Sequence, residues 1–175
     1  MKENCRLLID NFLAVIPAEY REMVNDLAEF ADSLGYTPKR NKVSLFSIDF
    51  SKSKIKRTVM KIEECDPKIS SGIPQLRLKF YANTIYSDVF KDSIKSVIEK
   101  FDGKYTGCYG CGRCKGEPEG YVYLYPDGRK IFRCGGELIP IHKWYEGHID
   151  EIKQLIKTQD DFWLNKRDCN KFCIK

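Results

Sequence analysis

Cys108-x2-Cys111-x2-Cys114-x19-Cys134 is the feature that most restricts how this chain can fold. If its thiolates share one ion, four sulfurs must converge at about 2.3 Å from a common centre. A C-x2-C turn presents two of them from one side. The returning strand of a hairpin, 19 residues further on, would bring Cys134 back to Cys114. Gly110, Gly112, Gly116, Gly135 and Gly136 surround the cysteines, and glycine permits the positive φ angles such turns use. Four thiolates leave a divalent ion doubly negative, and Arg113, Lys115, Arg129, Lys130 and Arg133 lie close by in sequence. Zinc is the metal this pattern favours. A [4Fe–4S] cluster is the alternative, since C-x2-C-x2-C also opens the bacterial ferredoxin motif. Here, however, Gly135 follows the last cysteine where ferredoxins carry proline. A thiol–disulfide pair and free buried cysteines are the remaining readings. A zinc site closed by four sulfurs has no vacancy for substrate, so it would be structural.

Whether eight cysteines mean metal or disulfides depends on the compartment. The start Met1-Lys2-Glu3-Asn4 does not read as a signal peptide, and the expectation is a cytoplasmic chain with metal or redox thiols. At 175 residues, 42% hydrophobic and 31% charged, it can bury about two-thirds of its unfolded surface without staples. The expected organisation is one domain over residues 1–164, containing the metal-binding hairpin 104–141, followed by a flexible basic tail at 165–175.

Periodicity sets the fold class. Tyr20, Met23, Val24, Leu27, Phe30, Ala31 and Leu34 repeat at helical spacing, with Gly35 as a stop. Residues 4–15 predict a shorter helix before Pro17. A third should run from Ser87 through Phe90, Ile94, Val97, Ile98 and Phe101, and a fourth over 146–163 with Ile149, Ile152, Ile156 and Phe162 inward. Alternation predicts strands at Phe46–Phe50, Ile55–Ile62 and Leu76–Phe80. Two more, Tyr121–Tyr125 and Lys130–Cys134, flank the turn Pro126-Asp127-Gly128. Residues 36–45 read as a basic connector. The elements cluster without βαβ alternation, so the expected class is α+β: an antiparallel sheet of about five strands packed with three to four helices, plus a β-hairpin clipped by metal on the four cysteines.

Two surfaces are candidates for binding. Tyr121, Tyr123 and Trp144 could line a small-molecule pocket, since tyrosine joins apolar area to a polar tip; the competing reading is aromatic packing. Lys52, Lys54, Lys56, Arg57, Lys61, Arg77 and Lys79 could form a basic sheet face for nucleic acid or another polyanion. The competing reading is an ordinary solvated face, diluted by Ser47, Asp49 and Glu63. A net charge of +5 is modest for a dedicated nucleic-acid binder. Nothing in the sequence proposes a catalytic site: His142 and His148 are the only histidines, and no nucleophile elbow or phosphate loop is present. Cys5 and Cys65 read as spectators, and Cys169-x3-Cys173 as two unpaired thiols.

The run Tyr105-Thr-Gly-Cys-Tyr-Gly-Cys-Gly-Arg-Cys-Lys-Gly116, with Tyr125-Pro-Asp-Gly-Arg129 and Phe132-Arg-Cys-Gly-Gly136, resembles a group of short, cysteine-rich bacterial proteins. They are commonly labelled relatives of AraC-type transcription regulators. The similarity extends over residues 20–165, through Leu78-Lys-Phe-Tyr-Ala82 and Asp160-Asp-Phe-Trp163. The best helices here are separated by about fifty residues of strand and loop, too far apart to make a helix-turn-helix. The resemblance therefore implies a ligand-sensing or accessory part, and it carries over the four cysteines alone. The expected function is a metal-clipped binding or sensor module; the alternatives are a redox- or metal-responsive thiol protein and a polyanion binder.

Overall fold

The structure, a computed structural model, describes residues 1–41, 45–65, 72–100 and 119–172, with side chains described as far as Lys166. It is α+β. Helices α1 (Glu3–Val15) and α2 (Ala18–Ser33) are separated by Pro17, whose fixed φ suits a helix start. Gly35 stops α2 at φ +85°, a left-handed cap that donates its N–H to Asp32 O. Strands β1 (Thr37–Arg40), β2 (Ser47–Lys52), β3 (Arg57–Glu63) and β4 (Gln75–Leu78) follow, then α3 (Asp88–Glu99). The hairpin β5 (Gly120–Leu124) and β6 (Lys130–Cys134), strand β7 (Ile139–Ile141), a short 3-10 turn and α4 (Ile149–Phe172) complete the order.

The five-stranded antiparallel sheet runs β1-β2-β3-β4-β7, and β5-β6 is a separate two-stranded sheet. Strand number thus matches expectation while membership differs. Strand β1 replaces the basic connector, and β7 is additional to the expected set. Both are edge strands containing proline, Pro38 and Pro140. Proline cannot donate to the ladder, so it is tolerated only at an edge, where it also blocks further pairing.

Alternation puts Ile48, Phe50, Met60, Ile62, Leu76, Leu78, Ile139 and Ile141 on one sheet face. They join Ile9, Phe12, Leu27, Ala31, Phe90, Ile94, Ile152 and Ile156 of the helices in one buried cluster. The opposite face carries a transverse row, Lys39–Asp49–Lys61–Arg77, in which signs alternate before two cations meet.

Helix α4 does not end near 163; its backbone continues to Phe172. Its inward stripe also differs from expectation. It passes through Gln159, Asp160 and Trp163, all buried, while Phe162 is only half-buried. Lys166 on its last described turn pairs with Glu119, the residue before β5. No helix among the described residues is long and apolar enough to cross a membrane.

Candidate functional site

Cys134 closes β6 opposite Gly120 and is 2% exposed. Its Sγ accepts the Gly136 N–H at 3.4 Å, the kind of backbone donor that steadies a thiolate around a metal. Cys108, Cys111 and Cys114 lie outside the described residues, as do Gly110, Gly112 and Gly116. Glu119 O accepts the Gly135 N–H at 3.0 Å, so the chain entering β5 lies directly against the Cys134 turn. Cys114 precedes Glu119 by five residues, a reach of at most about 18 Å. Cys134 is thus a buried sulfur with an amide donor, a form suited to one ligand of the expected set.

The glycines beside Cys134 act differently from expectation. Neither Gly135 nor Gly136 has a positive φ. Gly135 is needed for close approach, since a Cβ there would lie 2.5 Å from Glu119 O and 2.5 Å from the Tyr81 ring. Gly120 is as tight, with Arg133 O in the way of such a Cβ. The foot of the hairpin is pressed against its neighbours where only glycine fits.

Cys134 also borders a cavity of about 630 Å³, within the size range of small-molecule sites. The outer sheet face supplies Asp49, Lys61 and Lys79, the β2–β3 turn Lys56, the start of β3 Arg57, and the hairpin foot Glu119 and Glu137. Tyr81 and Trp163 form its aromatic wall. Trp163 Nε1 donates to Tyr81 Oη at 2.8 Å, with the rings edge-to-face at 6.3 Å. Burial raises the Tyr81 phenol above its usual range, partly offset by that indole donor. Burial, with Arg57 close by, brings the Lys79 ammonium down to about 8, and Lys79 Nζ donates to Gly136 O at 2.9 Å. Burial likewise raises the Asp49 carboxyl, while Lys61 opposes the rise.

Tyr121, Tyr123 and Trp144, the residues expected to line an aromatic pocket, lie elsewhere. None of the three lies on this cavity's wall. Tyr121 is buried against Phe80, with its hydroxyl accepting the Phe80 N–H at 3.1 Å. Trp144 is buried against Tyr20 and donates to Pro74 O at 2.9 Å. Phe80 and Pro74 are six residues apart around β4, which is about 20 Å in an extended chain. Both rings found partners inside the core. Tyr123 is half-buried beside Tyr125, with ring centroids 4.8 Å apart.

The basic face is also divided. Lys52 turns to Asp160. Lys61 and Arg77 share Glu63 at 2.8 and 3.0 Å. Lys56, Arg57 and Lys79, by contrast, converge on the cavity. Gln159 and Asp160 break the apolar stripe of α4 for other partners, Gln159 accepting the Ala82 N–H and Asp160 pairing with Lys52. The two runs Leu78–Ala82 and Asp160–Trp163 meet in space through Tyr81 and Trp163. No protein-family model, curated protein or solved structure matches this chain.

Proposed function

We propose that this protein is a small ligand-binding module whose binding wall is fastened by a structural zinc ion on Cys108, Cys111, Cys114 and Cys134. The observation that carries the reading is the position of Cys134. Its buried sulfur, with its amide donor, stands on the border of the cavity of about 630 Å³. An ion there would tie residues 108–114 to the hairpin foot and hold Glu119, Gly135, Gly136 and Glu137 in place as one side of the cavity. A closed tetrahedral site offers no coordination vacancy, so the ion's contribution is to shape and stability, and binding falls to the side chains around it. The similarity to proteins labelled as AraC-type regulators is read in the same sense, as a sensing part separate from any DNA-reading unit.

The test is elemental analysis of the purified full chain beside Cys134→Ala. The expected result is one equivalent of zinc in the parent, lost in the variant together with thermal stability. Iron with visible charge-transfer absorption would replace zinc by a [4Fe–4S] cluster. Absence of both metals would overturn the clip.

A further inference from the structure

We infer that the cavity beside Cys134 binds a small aryl anion, a phosphate or carboxylate on a planar apolar body, held by Arg57 and Lys79 and packed on Tyr81 and Trp163. This rests on the reading of the chain as a ligand-binding module and names the class of ligand.

The distribution of partners around the cavity carries the inference. Its carboxylates at the hairpin foot are engaged: Glu119 with Lys166, and Glu137 with Arg133 at 2.6 Å. Lys61 is engaged with Glu63. Among the described residues, neither Lys56 nor Arg57 makes an ion pair, and Lys79 Nζ donates to the Gly136 carbonyl, with Glu137 and Cys134 attracting it from beyond ion-pair distance. Two of these cations stand close together, because the Lys79 N–H pairs with Val59 O at 2.8 Å, two residues from Arg57. Like charges held side by side in a recess raise each other's energy, and an anion between them removes that cost. Arg57 can offer a planar fork of donors and Lys79 a point charge, a complementary pair for an oxyanion.

Among the described residues, Asp49 is the one carboxylate of the cavity without a cation at bonding distance; it takes only an amide from Asn41 at 3.2 Å. It pairs across the strands with Lys61, four residues along β3 from Arg57, or about 13 Å. Asp49 thus stands away from Arg57 and Lys79, and the anion belongs between those two cations. The planar body follows from the wall. Trp163 spends its indole N–H on Tyr81, which leaves the Tyr81 O–H to donate and both rings to present apolar surface.

The experiment uses the metal-loaded full chain and phenyl phosphate, benzoate, inorganic phosphate and phenol as probes, read by calorimetry and by tryptophan fluorescence. Phenyl phosphate or benzoate should saturate and quench, with quenching abolished in Trp163→Phe. Inorganic phosphate should bind more weakly, and phenol should not bind. Arg57→Gln and Lys79→Gln should each weaken the aryl anion about tenfold, the size of one charge-assisted contact, while Lys95→Gln on α3 leaves it unchanged. No saturable binding of either aryl anion would overturn the inference. Phenol binding as tightly, or binding indifferent to both substitutions, would do the same. Zinc is measured on the same samples. Aryl-anion binding by protein that never held metal removes the clip alone, and a full equivalent of zinc without anion binding removes this inference alone.

Discussion

Lys52 Nζ lies 2.8 Å from both carboxylate oxygens of Asp160, a residue 108 positions further along the chain. The pair joins the end of β2 to the middle of α4, and Tyr36 completes it with an O–H donated to Asp160 Oδ1 at 2.9 Å. Both charged side chains are nearly removed from water, at 11% and 3% exposure. Removing one member leaves the other charge buried alone, which typically costs about 3–5 kcal/mol. Asp160→Ala should therefore lower stability by about 3 kcal/mol or more, measured by urea unfolding. The double variant Lys52→Met/Asp160→Leu should recover most of that loss. A single variant within experimental error of the parent would show that the pair is not formed in solution.

Gly135 is a second point of leverage. A methyl group there meets backbone at Glu119 and the ring of Tyr81, both at 2.5 Å, well inside contact distance. Neither neighbour can swing away, because Glu119 leads directly into β5 and Tyr81 is held by Trp163. Gly135→Ala should cost about 1–3 kcal/mol through overpacking and should loosen zinc retention in a chelator challenge. Gly136→Ala is the matched control, since its nearest contact, the Cys134 sulfur at 3.4 Å, is at ordinary van der Waals distance. Equal effects at the two positions would show that the hairpin foot is not packed as described.

What could be read in the sequence followed from period and punctuation. Helix α2 is legible because its apolar residues recur at helical spacing and Gly35 and Pro38 close it. Strands β2 to β4 are legible because Ile48, Phe50, Ile62, Leu76 and Leu78 alternate with polar residues. Pro38 and Pro140 hid β1 and β7, since proline weakens a strand pattern even where an edge tolerates it. The walls of the cavity beside Cys134 were not legible for a different reason. Tyr121 and Trp144 each join an apolar ring to a polar tip, and only the fold decides whether such a ring faces a cavity or the core. The true cavity is assembled from β2, β3, the segment after β4, the hairpin foot and α4, elements far apart in sequence.

Alkaline pH should unfold the protein in a way that two tyrosines report. Burial raises the Tyr36 and Tyr121 phenols far above their usual range, and Asp160 adds to the effect at Tyr36. In the unfolded chain both ionise near about pH 10. Above that pH the unfolded state holds fewer protons than the native state, so stability, fully present below about pH 10, falls as pH rises further. Each such residue contributes a slope of up to about 1.4 kcal/mol per pH unit. Chemical denaturation at stepped pH should show the decline beginning near about pH 10, shallower in Tyr36→Phe and in Tyr121→Phe. An unchanged slope in both variants would mean that these phenols ionise without unfolding.

The end of α4 provides the last test, because a loose tail and a helix that braces the hairpin respond oppositely to truncation. Lys166 pairs with Glu119, whose side chain is 7% exposed, and Glu119 O in turn holds the Gly135 amide beside Cys134. Cutting the chain after Asn165 removes the cation from a buried carboxylate and shortens the helix that carries Trp163. A dispensable tail would leave stability within about 0.5 kcal/mol of the parent. The described contacts instead imply a loss of about 1.5–3 kcal/mol, the range for losing one hydrogen bond to a charged group. Exchange at the Gly135 amide should accelerate in the truncated chain and in Lys166→Met, while the α2 amides keep the protection set by global stability. Unaltered Gly135 exchange in both would show that the hairpin foot is held without α4.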